Sequence, residues 1–254
     1  ILRMVNGGKE ATVYLCSRPA TALQPLLAAK IYRPRQFRNL KKDHLYREGR
    51  DQLDAGGKVI IDDRSLHAMR KRTTYGQVLL HSSWIGHEYR TMQLLADAGV
   101  DMPHPYASSD NAILMDFIGD EFESAPTLHS ITLSSTEARQ LFDRVLFNIE
   151  LMLRFNRVHA DLSAYNILYW QGGIKLIDFP QAINPDENHN AYRIFTRDVE
   201  RICEYFTTQG VKSDPVKLAT SLWMSRGRLI EPDLDPLFLD PDKDEDRRAW
   251  NKKK

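Results

Sequence analysis

Between His159 and Asp178 the sequence delivers three oxygen-bearing side chains from two neighbouring connections. Two of them, Asp161 and Asn166, lie in the string His159-Ala-Asp161-Leu-Ser-Ala-Tyr-Asn166, directly after a long apolar helix. The third, Asp178, ends the apolar run Ile174-Lys-Leu-Ile177. Two short strands, 166–170 and 174–177, flank a Gly172-Gly173 turn, which folds the second back beside the first. Asp161, Asn166 and Asp178 therefore converge, and hard oxygen donors around a carboxylate suit the handling of a magnesium-bound phosphate.

A second constraint comes from Lys30, which stands inside the apolar strand Ala28-Ala-Lys30-Ile31. A buried ammonium is costly unless it is paired. Glu88, in the next helix, is the expected partner, and a Lys–Glu pair offered to nucleotide phosphates belongs to a protein-kinase-like pattern.

Around these residues the chain divides into a β-rich part and a helical part. The runs 11–16 and 26–32 read as antiparallel strands behind Gly7-Gly8, and 111–118 reads as a buried strand. Helical spacing marks 84–98 through Ile85, Tyr89, Met92 and Leu95, closed by Gly99. Ser134-Ser-Thr-Glu137 caps a helix running to Asn156, with Leu141, Val145, Ile149 and Leu153 recurring every fourth residue. Another helix starts near Phe195. The expected class is α+β, a two-lobe protein-kinase-like fold: an N-terminal lobe over 1–118 with a flexible insertion at 34–83, a C-terminal lobe over 119–225, and a tail over 226–254.

Six segments, in order, resemble the RIO family of atypical serine protein kinases: Gly8-Lys9-Glu10-Ala11-Thr12-Val13-Tyr14, the AAKIY that holds Lys30, Glu88 in its helix, MDFIG at 115–119, HADLSAYNIL at 159–168 and IDFPQ at 177–181. Arg197-Asp198-Val199 is similar to that family's later helix, so the resemblance spans residues 5 to 210. It implies that Asp161 orients or deprotonates the attacking group and that Asn166 and Asp178 hold magnesium, with manganese as the alternative ion. Lys30 would meet the α- and β-phosphates of ATP, held by Glu88. Gly8, Lys9 and Glu10 would cover the phosphates, the backbone of Asp116 and Ile118 would meet adenine beside Met115, and Val13, Ala28 and Ile177 would sandwich the base. His159 is expected in the core, and Asp198 is expected to receive backbone N–H groups of the loop around Asp161.

Two departures from ordinary protein kinases are RIO-like: GKEATV lacks the repeated glycines of a phosphate loop, and Pro180 follows Asp-Phe where glycine is usual. Only twenty residues separate Asp178 from Asp198, without an A-P-E string, so a platform for docked peptides is not expected. The resemblance then implies serine autophosphorylation or an ATPase cycle, commonly in ribosome maturation, with a ribosomal particle or protein substrate as partner. An aminoglycoside-type small-molecule phosphotransferase and a non-catalytic nucleotide-binding switch share parts of the pattern.

Formal net charge is only +1, which gives no general case for nucleic acid or membrane. Contact with nucleic acid is expected only through a particle. Eleven Lys/Arg against six Asp/Glu lie between Arg35 and Arg72. Together with Ser65, Thr73, Thr74, Ser82 and Ser83 they make the segment 34–83 a candidate phosphorylated lid over the Lys30–Glu88 pair. No apolar run is long enough for a spanning helix or signal peptide, so a cytoplasmic setting is expected. Ile1 opens almost directly into a motif, so preceding residues are expected. Cys16 and Cys203 read as buried thiols rather than a disulfide or metal knuckle.

Overall fold

A computed structural model of the chain describes residues 1–8, 10–18, 26–33, 51–54, 56–228 and 230. Five antiparallel strands form one sheet in the order β1-β2-β3-β5-β4: β1 Arg3–Gly7, β2 Ala11–Ser17, β3 Leu26–Tyr32, β4 Pro105–Ser108 and β5 Ala112–Asp116. The register sets Val13 opposite Lys30 and Ala28 opposite Met115. Because side chains alternate along a strand, Ala28 and Lys30 share one face of β3. Beneath the sheet Leu15, Ala28 and Phe117 form a small core with Val13 and Met115 packed against it.

Helix α1 (Asp63–Lys71) is capped by Asp62, whose side chain accepts from Ser65 N–H, and α2 runs Thr74–Asp97 behind the cap Thr73. Helical spacing marked only 84–98, so α2 begins ten residues earlier than the sequence reading. The reason is visible in what the extra turns bury: Gly76, Ser82 and Ser83 rather than an apolar stripe. A Cβ on Gly76 would stand 1.9 Å from Ala68 O, and one on Gly86 would stand 2.1 Å from Asp54 O. Small residues thus let the 51–71 segment approach the α2 backbone closely, and Leu53 N–H donates to Ser83 Oγ at 2.9 Å. Glu88 accordingly sits well inside α2.

The main core lies around α3 (Ser135–Arg154) and α4 (Ala191–Thr208), with α5 (Pro215–Met224) beyond. Ser134 caps α3, which buries Leu141, Phe142, Val145, Ile149, Met152 and Leu153. Strands β6 (Ile167–Trp170) and β7 (Gly173–Leu176) form the expected hairpin, and α4 starts four residues before Phe195. Between the sheet and these helices the chain turns at Gly119, φ 137°, where a Cβ would meet Glu123 O at 2.4 Å. The fold is α+β with a β-rich lobe, a helical lobe and a cleft between them. Cys203 is buried, whereas Cys16 is only half-buried; both are free thiols. No described helix is long and apolar enough to cross a membrane.

Candidate active site

A cleft of about 570 Å³ lies against the sheet and the β6–β7 hairpin. Val13, Ala28, Met115 and Ile177 are among its apolar walls, while Lys30, Glu88, Asp161, Asn166 and Asp178 contribute its charged and polar ones. Gly8, Glu10, Asp116 and Ile118 line it as well. Thus the described residues singled out from the sequence come together, and Lys9 lies outside the described residues.

Lys30 is the centre of the charged wall. Its Nζ stands 2.7 Å from Glu88 Oε1 and 2.5 Å from Asp178 Oδ1. Glu88 is 1% exposed, and its second oxygen accepts from Tyr32 OH at 2.5 Å. Burial alone would lower the Lys30 pKa, but the Asp178 and Glu88 carboxylates outweigh it and hold the ammonium well above its usual range. Burial pushes Glu88 up despite Lys30. It also pushes Asp178 upward, yet there the Lys30 ammonium prevails and the carboxyl lies below its ordinary value. The sequence indicated the Lys30–Glu88 pair; it gave no sign of Tyr32 as its third member.

The loop bearing Asp161 is held from below. His159 is buried, its Nδ1 accepts from Asp161 N–H at 3.3 Å, and its Nε2 stands 3.1 Å from Ile177 O. That assignment makes Nε2 the protonated nitrogen. Burial lowers the His159 pKa, so the ring is a neutral pin between the two loops rather than a proton donor in the cleft. Asn166 donates to Asp161 O at 2.8 Å, and Asn166 O accepts from Ile177 N–H at 3.0 Å. Ala160 and Asp178 both adopt left-handed backbone, φ 68° and 72°. Such conformations persist in non-glycine residues where surrounding contacts enforce them.

Helix α4 supplies those contacts on one side. Asp198 is buried, and burial raises its carboxyl to about 7 although Arg197 and the Leu162 N–H act to lower it. Arg197 donates to Ala160 O and lies 3.2 Å from Asp198 Oδ1. Arg201, one turn further, donates to Asp161 Oδ1 at 2.9 Å. The roles of Arg197 and Arg201 side chains were not read from the sequence; their spacing from Asp198 on one helix was the available signal.

Asp116 N–H donates to His104 O at 3.0 Å, and the Asp116 carboxylate accepts from His104 N–H and Tyr106 OH, turning the side chain to the outer edge. Ile118 O accepts from Ala125 N–H at 2.9 Å.

Val13, Ala28 and Ile177 thus give the cleft an apolar wall, and Lys30 with its carboxylates gives it a charged one. Among the described residues no three His, Cys, Asp or Glu gather into a metal cage. Asn166 and Asp178 nevertheless present hard oxygens, a set that fits magnesium or manganese completed by phosphate oxygens and water rather than by protein alone.

A family model described as the RIO domain matches residues 20–218. The serine/threonine-protein kinase RIO1 of Homo sapiens is 31% identical over 216 residues, 83% of this chain and 34% of that protein. The rio1 kinase of Schizosaccharomyces pombe is 32% identical over 184 residues, 72% of this chain and 33% of the relative. The RIO-type kinase Rio1 of Thermoplasma acidophilum is 30% identical over 135 residues, 53% of this chain and 69% of that protein. This chain therefore spans about a third of the length of the first two relatives. The solved structure of the Cydia pomonella Granulovirus kinase PK-1 aligns at 14% identity and TM-score 0.42, covering 72% of this chain and 53% of that one.

Proposed function

This chain belongs to the RIO domain family of atypical kinases, and from that premise we propose that it binds ATP with magnesium in the cleft and transfers the γ-phosphoryl group to a serine or threonine hydroxyl. The observation that carries this reading is the placement of Lys30, Glu88, Asp178, Asn166 and Asp161 around one cleft. Adenine lies between Val13, Ala28 and Ile177, with the Asp116 carbonyl and Ile118 N–H as its hydrogen-bonding edge beside Met115. Lys30, fixed by Glu88, meets the α- and β-phosphates, and Gly8 to Glu10 cover them.

Asn166 and Asp178 would hold the magnesium ion, with manganese as the alternative. Bound there, the ion would neutralise charge on the phosphates. Asp161 accepts the proton of the attacking hydroxyl as its oxygen bonds to the γ-phosphorus. The bond to the bridging oxygen breaks, and ADP leaves with the electron pair. With water as acceptor the same steps release inorganic phosphate.

Only residues 179–190 separate Asp178 from α4, little chain from which to build a docking platform for peptides. This supports autophosphorylation, or an ATPase cycle tied to conformational change, over transfer to many peptides. The partners we propose are a ribosomal particle or a protein substrate in the cytoplasm, with nucleic acid met only through the particle and no membrane. Lobes over 1–118 and 119–225 with a tail over 226–254 complete the reading. The test is phosphate release by the purified protein with and without ribosomal particles. Magnesium-dependent release stimulated by particles is expected; release indifferent to particles removes the ribosomal setting, and an absence of both phosphate release and phosphoryl transfer to serine or threonine removes the enzyme.

A further inference from the structure

Three side chains on α4 hold three consecutive residues of the loop that carries Asp161. Arg197 donates to Ala160 O, Asp198 feels the Leu162 N–H, and Arg201 donates to Asp161 Oδ1 at 2.9 Å. The first two reach backbone and account for the path of the loop, including the left-handed φ at Ala160. Arg201 instead reaches the carboxylate itself.

Arg201 also approaches from a different side. A second cleft, of about 650 Å³, includes Arg201, His129 and Glu204 and shares Asp161, Tyr165 and Asn166 with the first. Arg201 does not line the first cleft. A nucleotide in the first cleft therefore leaves the guanidinium facing the other side of Asp161, from which a hydroxyl must come.

We propose that Arg201 is a positioning residue for phosphoryl transfer. By holding Asp161 Oδ1 it turns Oδ2 toward the incoming hydroxyl. Among the described residues Oδ2 has only a long contact of 3.4 Å, from Asn166 Nδ2, so it is the oxygen left open to a hydroxyl. A guanidinium is permanently charged and directional, so it fixes the rotation of the carboxylate. The pair is half exposed, 39% for Arg201 and 50% for Asp161, and such pairs add little to stability. Its effect on rate is therefore separable from folding.

This inference rests on the phosphoryl-transfer reading, and the test keeps the two apart. Arg201→Ala and Arg201→Lys are made in the wild-type and Asp161→Asn backgrounds, with kcat, KM for ATP and melting temperature measured for each. Arg201→Ala is expected to lower kcat about tenfold to a hundredfold while KM and melting temperature stay put. Arg201→Lys recovers part of the loss, and in Asp161→Asn the removal of Arg201 changes nothing further. An unchanged kcat, or the full loss repeated in the Asp161→Asn background, overturns the proposal.

The carboxyl carbon resonance of Asp161 tests the pair without turnover. It moves in Arg201→Ala and stays near the wild-type position in Arg201→Lys; no movement in Arg201→Ala refutes the contact. A wild-type protein without turnover, or with turnover indifferent to Asp161, instead defeats the phosphoryl-transfer reading while the resonance still decides on Arg201.

Discussion

Lys30 Nζ lies 2.5 Å from Asp178 Oδ1, although 148 residues of chain separate the two. The contact joins the β-sheet to the end of the β6–β7 hairpin, and Glu88 closes it from α2. A cation buried among carboxylates belongs to the fold as much as to the chemistry.

Removing Lys30 is therefore expected to damage stability as well as activity. Lys30→Met leaves Glu88 buried with Tyr32 as its remaining partner among the described residues, and loss of one member of a buried ion pair costs about 3–5 kcal/mol. The ammonium is also what holds the raised Glu88 pKa down, so in the variant Glu88 takes up a proton more readily. The deficit should shrink as pH falls. Urea unfolding at several pH values measures it, and a deficit independent of pH contradicts the buried-charge account.

Gly86→Ala separates close packing from helix propensity. Alanine in a helix interior ordinarily gains about 1 kcal/mol over glycine. Here the new Cβ would stand 2.1 Å from Asp54 O, so the 51–60 segment must shift and a net loss of about 1–3 kcal/mol is expected. Hydrogen exchange at Leu53 N–H, which donates to Ser83 Oγ, should accelerate. A more stable variant with unchanged exchange would show that the segment yields freely.

Asp198 should leave a mark on the pH dependence of stability. Burial raises its carboxyl from 3.8 to about 7, so the folded protein keeps a proton that the unfolded chain releases. This group's contribution therefore falls as pH climbs from about 4 to about 7 and is constant above that. Asp198→Asn lacks the effect, and its stability relative to wild type should improve across that window. Parallel curves for the two proteins would falsify the assignment.

Residues 34–83 contain five serines and threonines that self-phosphorylation could reach, and burial divides them. Ser65, Ser82 and Ser83 are buried, whereas Thr73 and Thr74 are exposed at the start of α2. A phosphate at a helix N-terminus is also favourably placed. Mass spectrometry after incubation with magnesium and ATP should find transfer at Thr73 or Thr74. Modification of Ser82 or Ser83 in the folded protein would contradict the burial of α2 against 51–71.

What the sequence made legible follows the physics of each element. Lys30 in an apolar strand demanded a partner, and Asp161, Asn166 and Asp178 flanked short strands whose turn was marked by glycines. Helix α3 announced itself through its cap and fourth-residue spacing. The first turns of α2 did not, because they pack through Gly76, Ser82 and Ser83, and hydrophobic periodicity cannot report a face made of small polar residues. Arg201 was illegible for another reason: a half-exposed arginine on an amphipathic helix looks solvated until the loop opposite it is placed.

The central claim is that Asp178 serves nucleotide binding while Asp161 serves chemistry. Calorimetric titration of ATP with magnesium, followed by turnover of the same samples, tests it in wild type, Asp178→Ala and Asp161→Ala. Asp178→Ala should lose magnesium-dependent binding. Asp161→Ala should bind ATP as wild type does and turn over about a hundredfold more slowly or worse. Equal loss of binding in both variants, or undiminished turnover in Asp161→Ala, would contradict the division of roles.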